Sequence, residues 1–124
     1  MPTSVKELVA AANTVVPKIS GTEAQEMAAK GALVVDLRDG TEVAASGKAA
    51  GAVHISRGML EFKADPESPG FDKNFSKDKP VVLYCGSGGR AALAGKLLKD
   101  FGYDKVFNAG GFKDWVEAGG KVDK

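Results

Sequence analysis

Short β-branched apolar runs alternate with helical periodicities along this chain, and that alternation limits the folds open to it. Residues 32–37 and 80–84 read as buried strands, each too short for a helix and bounded by turn residues. Residues 51–55 and 105–108 read as weaker strands, and Lys18-Ile19 as a short edge strand. Helical patterns fill the intervals. Ser4 with Glu7, and Ser20 with Glu23, have capping-box spacing ahead of helices over 4–13 and 20–30, and Gly31 stops the second. Ala94, Leu97, Leu98 and Phe101 fall at i, i+3, i+4, i+7 in a helix over 90–101. Shorter helices are expected over 41–45, 57–64 and 112–118, and an ordered surface loop over 65–79. Strands that alternate with helices imply an α/β domain. Its sheet should be mostly parallel, of about five strands, with helices on both faces. We divide the chain into an N-terminal helical extension, residues 1–17, packed on a domain formed by residues 18–124.

Bulk properties narrow the function. Seventeen basic and sixteen acidic residues are interspersed, for a net charge of +1, which argues against nucleic acid as the main partner. No apolar run approaches the roughly 20 residues of a membrane helix. Residues 1–7 lack the basic and apolar regions of a secretory signal, so a cytoplasmic location without membrane association is expected. A single cysteine cannot form an intramolecular disulfide, which fits a reducing compartment and leaves the thiol free. With one histidine and one cysteine, neither a protein metal site nor a cofactor is expected.

In an open parallel sheet, sites form beyond the carboxyl ends of the strands. Two segments end there. The first is Asp36-Leu37-Arg38-Asp39. The second is Cys85-Gly86-Ser87-Gly88-Gly89-Arg90, which joins the best strand to the best helix. A strand, a glycine-rich loop and a helix start together aim backbone N–H groups at one point. A cysteine at the mouth of that loop sits in positive potential, which favours the thiolate. Glycines at 86, 88 and 89 let the chain curl without Cβ clashes. A lone cysteine is also commonly a buried inert thiol, but its position before Gly-Ser-Gly-Gly-Arg favours chemistry on an anionic substrate.

Four segments in order, over roughly residues 18–120, resemble the rhodanese family of single-domain sulfurtransferases. Val35-Asp36-Leu37-Arg38-Asp39 with Glu42 resembles its V-D-V/L-R-x3-E segment. Gly51-Ala52-Val53-His54-Ile55 resembles the tail of its G-H-I-x-G-A-x-x-I segment. Residues 85–90 resemble its active loop C-x-x-G-x-R, and Gly110-Gly111-Phe112-Lys113-Asp114-Trp115 its closing G-G-F/W/Y-x-x-W signature. The resemblance implies a rhodanese-like fold and a catalytic Cys85. The thiolate would take the outer sulfur of thiosulfate or a similar small anionic donor, form a persulfide, and pass that sulfur to cyanide or a thiol, or to a sulfur-accepting protein. Residues 86–90 would cradle the persulfide. The loop interior carries no cation, which leaves the donor open.

Several side chains have two readings. Arg90 contacts the donor anion or braces the loop through Asp36 or Glu42. Arg38 points into the site, or forms a surface ion pair with Asp39 or Glu42. Asp36 supports a neighbouring loop. Ser87 donates to the persulfide or satisfies the turn. His54 reads as structural rather than as a base. Met59, Leu60 and Phe62 wall a donor pocket or pack the core. Two other function classes stay open. One is a small cysteine-dependent phosphatase or arsenate reductase, although C-x5-R is usual there and only four residues separate Cys85 from Arg90. The other is a non-enzymatic sulfur carrier or persulfide sensor.

Overall fold

The structure is a computed structural model that describes residues 3–124. Four parallel strands form the central sheet in the order β3-β1-β4-β5, with β1 at Leu33–Asp36, β3 at Val53–His54, β4 at Val81–Cys85 and β5 at Val106–Gly111. Lys18 adds one parallel bridge outside β5, opposite Asn108, so the expected edge strand at Lys18-Ile19 is a single rung. The expected strand at 51–55 shortens to the two residues of β3.

Alternation along the strands sorts side chains into two cores. Val81, Leu83 and Cys85 of β4 join Leu33 and Val35 of β1 on one face. That face is covered by α5 (Gly89–Asp100), α4 (Leu60–Ala64) and the segment following α1 (Val5–Asn13), through Ala91, Ala94, Leu98, Leu60, Ala64 and Val16. Val82 and Tyr84 meet Val34, Ala24 and Trp115 on the other face, under α2 (Gly21–Ala29) and α6 (Phe112–Glu117). All five residues of β4 are buried, as a central parallel strand requires. The first two residues of the expected N-terminal extension lie outside the described residues. Residues 5–13 of it form α1, which packs on α5. The approach is close near its end: a Cβ on Gly95 would come within 2.7 Å of Val16.

Local signals match the elements they precede. Ser20 Oγ accepts the Glu23 N–H at 3.1 Å, and the Glu23 carboxylate accepts the Ser20 N–H at 2.9 Å. The loop after α4 is ordered by turns in which Asp65 and Asp72 accept N–H groups two residues on, and Phe75 is buried edge-on against Tyr103. An antiparallel ribbon of β2 (Lys48–Ala49) and β6 (Val122–Asp123) has no counterpart in the sequence reading. Two-residue strands leave no periodicity to read. Its first strand follows α3 (Gly40–Ser46), which continues directly from the Asp36 segment, and its second follows α6.

Candidate active site

β4 ends at Cys85, and α5 begins four residues later at Gly89. The loop between them curls so that the Gly88 N–H donates to Cys85 Sγ at 3.0 Å. Gly88 has φ +99°, a left-handed conformation that favours glycine, and acts as the N-cap of α5 without a side-chain cap. The first N–H groups of α5 have no intrahelical acceptors, so the positive end of the helix faces the loop. Cys85 is 1 % exposed, whereas Gly86 and Ser87 are open to solvent. The sulfur therefore lies beneath the loop rather than at an open mouth. Ser87 accordingly sits on the outer surface of the curl.

Arg90 spans the loop from its helical end. Its Nη1 and Nη2 donate to the two carboxylate oxygens of Glu42, at 2.8 and 3.1 Å. Of the two carboxylates expected as partners for Arg90, the one it meets is Glu42, on α3, and Asp36 is engaged elsewhere. The guanidinium lies over the start of the loop, because a Cβ on Gly86 would come within 2.9 Å of Arg90 Nη2. Hydrogen bonds from Arg90, then the Asp39 backbone N–H, hold the Glu42 carboxyl at about 2. The Glu42 hydrogen bond raises the Arg90 guanidinium above its ordinary value, and the nearby Cys85 adds to the effect.

Arg38 is not at the surface. It is 4 % exposed, and its partner is Asp36 rather than Asp39 or Glu42. Nε and Nη2 grip the Asp36 carboxylate, with Nη2 at 2.7 Å from Oδ2, while Nη1 reaches Ser46 Oγ and Nη2 the Gly47 carbonyl. The guanidinium lies 4.3 Å from the centre of the Phe112 ring. So enclosed, Arg38 cannot meet an anion arriving from solvent, and the donor-contact reading is replaced by a structural one. Tyr84 completes the cluster. Its hydroxyl donates to Asp36 Oδ2 at 2.7 Å and accepts the Ala49 N–H at 2.9 Å, which ties β4 to β1 and to the ribbon. Burial alone would push the Asp36 carboxyl up, but hydrogen bonds from Arg38 and then Tyr84 outweigh it and hold Asp36 below the usual carboxylate range. Burial pushes the Tyr84 hydroxyl well above its ordinary value.

His54 Nε2 bonds to the Arg38 carbonyl at 2.7 Å, on a strand separated from β4 by β1. Leu60 is fully buried in the core, while Met59 and Phe62 are about half exposed. A cleft of about 740 Å³ opens beside the loop, lined by Ser87, Gly88, Gly89, Asn108 and the start of α2. Cys85 is not on its wall, so the cleft lies behind the loop.

The residue the sequence reading did not single out is Asn108, which supports the loop from β5. Asn108 is 2 % exposed, and its side chain bonds to Gly88 and Gly110. Its signal was one polar residue inside the apolar run Val106-Phe107-Asn108-Ala109. Gly111 lies against the loop so closely that a Cβ there would overlap the Gly86 carbonyl oxygen. Part of the closing Gly-Gly signature is thus a close-approach requirement of the Cys85 loop.

Residues 20–118 match the model of the rhodanese-like domain. This chain belongs to the rhodanese family. It is 32 % identical over 109 residues to human thiosulfate:glutathione sulfurtransferase, covering 82 % of this chain and 94 % of that protein. It is also 32 % identical over 108 residues to the thiosulfate sulfurtransferase GlpE of Haemophilus influenzae, covering 86 % and 93 %. Among solved structures, a Rhodopseudomonas palustris protein of unknown function, named a possible tyrosine phosphatase, superposes with a TM-score of 0.87 at 35 % identity and 99 % coverage of both chains. The rhodanese match spans the strand, loop and helix that carry Cys85.

Proposed function

We propose that this protein is a sulfurtransferase that carries sulfane sulfur on Cys85. The observation that carries the reading is the Gly88 amide directed at Cys85 Sγ within a four-residue curl at the end of the central parallel strand. In the first half-reaction the thiolate attacks the outer sulfur of thiosulfate. A bond forms between Sγ and that sulfur, the donor S–S bond breaks, and sulfite leaves with its electron pair. In the second, cyanide or a thiolate attacks the terminal sulfur and leaves as thiocyanate or a persulfide, returning the electron pair to Cys85. No external oxidant or reductant is consumed. The Gly88 N–H and the amide end of α5 lower the energy of the anionic intermediate.

Phosphatase chemistry, left open by the Cys85 and Arg90 pair, is the competing reading, and the name of the Rhodopseudomonas relative also points to it. Four residues between Cys85 and Arg90 make a tighter curl than the usual five, and the Arg90 guanidinium is engaged by Glu42. Both features fit one sulfur better than a tetrahedral phosphoryl group. Intact-protein mass spectrometry separates the readings. After excess thiosulfate and desalting, the protein should gain the mass of one sulfur atom, and cyanide should remove it as thiocyanate. No gain from thiosulfate, mercaptopyruvate or glutathione persulfide, with turnover of an aryl phosphate, would transfer the assignment to a phosphatase.

A further inference from the structure

A loop containing glycines at 86, 88 and 89 has little stiffness of its own, because each glycine gives up more conformational freedom on ordering than any other residue. It must be held from outside. Arg90 and Glu42 supply one fixing, on the side of α3. The opposite flank is held by Asn108, from the middle of β5.

Asn108 uses its polar groups in two directions. Its backbone N–H donates to the Pro17 carbonyl, and its carbonyl accepts the Ile19 N–H, each at 2.9 Å. These bonds fix the residue to the segment outside the sheet. Its side chain turns toward the active loop. Nδ2 donates to the Gly88 carbonyl at 3.1 Å, and Oδ1 accepts the Gly110 N–H at 2.8 Å. The two partners determine the orientation of the amide, since a carbonyl requires the NH2 end and an N–H requires the oxygen. Gly88 is the residue whose own N–H meets Cys85 Sγ. One glycine in a left-handed conformation therefore has its carbonyl shared between the Ala92 N–H of α5, at 2.9 Å, and Asn108 Nδ2, and presents its amide to the sulfur.

We propose that Asn108 is a positioning residue for the Cys85 loop. It grips the Gly88 carbonyl and keeps the Gly88 N–H on the sulfur, and on the persulfide that follows. The kinetic part of this proposal rests on the sulfur-transfer reading. The geometric part does not.

Asn108→Asp tests it. Aspartate has the same shape and keeps an acceptor for Gly110, but it loses the NH2 donor and sets an oxygen against the Gly88 carbonyl. Amide hydrogen exchange by NMR reads the geometry. The Gly88 N–H should exchange about tenfold faster, equivalent to about 1.4 kcal/mol or one ordinary hydrogen bond, while the Val82 and Leu83 amides of β4 keep their wild-type rates. In the thiosulfate assay kcat should fall about tenfold with KM changed less than about threefold, the pattern of a lost transition-state contact. Asn108→Ser, neutral and too short to span to Gly88, should behave alike and serves if the aspartate variant folds poorly. Wild-type Gly88 exchange in a folded variant, or equal acceleration of every amide in both variants, overturns the proposal. If wild-type protein accepts no sulfur but Gly88 exchange still accelerates selectively, Asn108 keeps its positioning role and the sulfurtransferase reading fails.

Discussion

Tyr84→Phe removes one oxygen from the centre of the molecule, and the structure sets the cost. The Phe ring retains the apolar packing of Tyr84 against Phe112, whose ring centre is 6.0 Å away. Two hydrogen bonds disappear. The bond to Asp36 is charge-assisted and contributes about 1.5–3 kcal/mol. The bond from Ala49 leaves a buried N–H without an acceptor, at about 1–3 kcal/mol. Because both pass through one hydroxyl they do not add fully, and a loss of about 3–4 kcal/mol is expected. For a chain of 124 residues this lowers Tm by roughly 10–15 °C. Urea and thermal unfolding followed by circular dichroism measure it directly. The pH dependence has a definite sign. A carboxyl whose folded pKa lies below its unfolded value of about 3.9 contributes stability that is complete above that value and is lost as pH falls through the folded pKa. Asp36 is such a group, and Tyr84 helps to depress it. The difference between wild type and variant should be largest near neutrality and shrink below about pH 4, leaving the share due to the Ala49 amide. Sulfur transfer per folded molecule should change little, because Tyr84 faces the core opposite Cys85. A loss below about 0.5 kcal/mol, or a difference independent of pH, would refute this account of the cluster.

Other substitutions probe the loop. Cys85→Ser should abolish thiosulfate:cyanide transfer and sulfur uptake by mass while leaving the circular dichroism spectrum unchanged. Gly111→Ala drives a Cβ into the Gly86 carbonyl, so the loop must shift, and steady-state kinetics should show at least about a tenfold loss of kcat, as expected when a contact near 1.4 kcal/mol is lost. Glu42→Gln halves the Arg90 fork, and the sign of its pH effect follows from a Glu42 carboxyl held at about 2. The contribution of the pair is complete above the ordinary glutamate range and is lost as pH falls toward 2, so the wild-type and variant melting curves, measured against pH, should converge at the acid end.

Much of the architecture was legible along the chain because its signals are local. Capping boxes at Ser4 and Ser20, the period of α5 and the continuous apolar run of β4 each depend on near neighbours. The strand–loop–helix around Cys85 was legible for the same reason, as a contiguous segment whose glycines and helix start carry its geometry. The partners of the charged residues were legible only in part: Glu42 is one of the two carboxylates the sequence offers Arg90, whereas Asp36 is not among those it offers Arg38. Asp36, Arg38, Asp39 and Glu42 lie within seven positions, and local spacing permits several pairings. Only packing under Phe112 and beside Tyr84 selects Asp36 for Arg38, which releases Glu42 for Arg90, 48 residues away. The support from Asn108 and the close approach at Gly111 likewise exist only after β5 pairs with β4. Short-range chemistry thus placed a cysteine at the head of a glycine loop, whereas the long-range pairing of strands decided how deeply that cysteine is covered and which residues hold the loop over it.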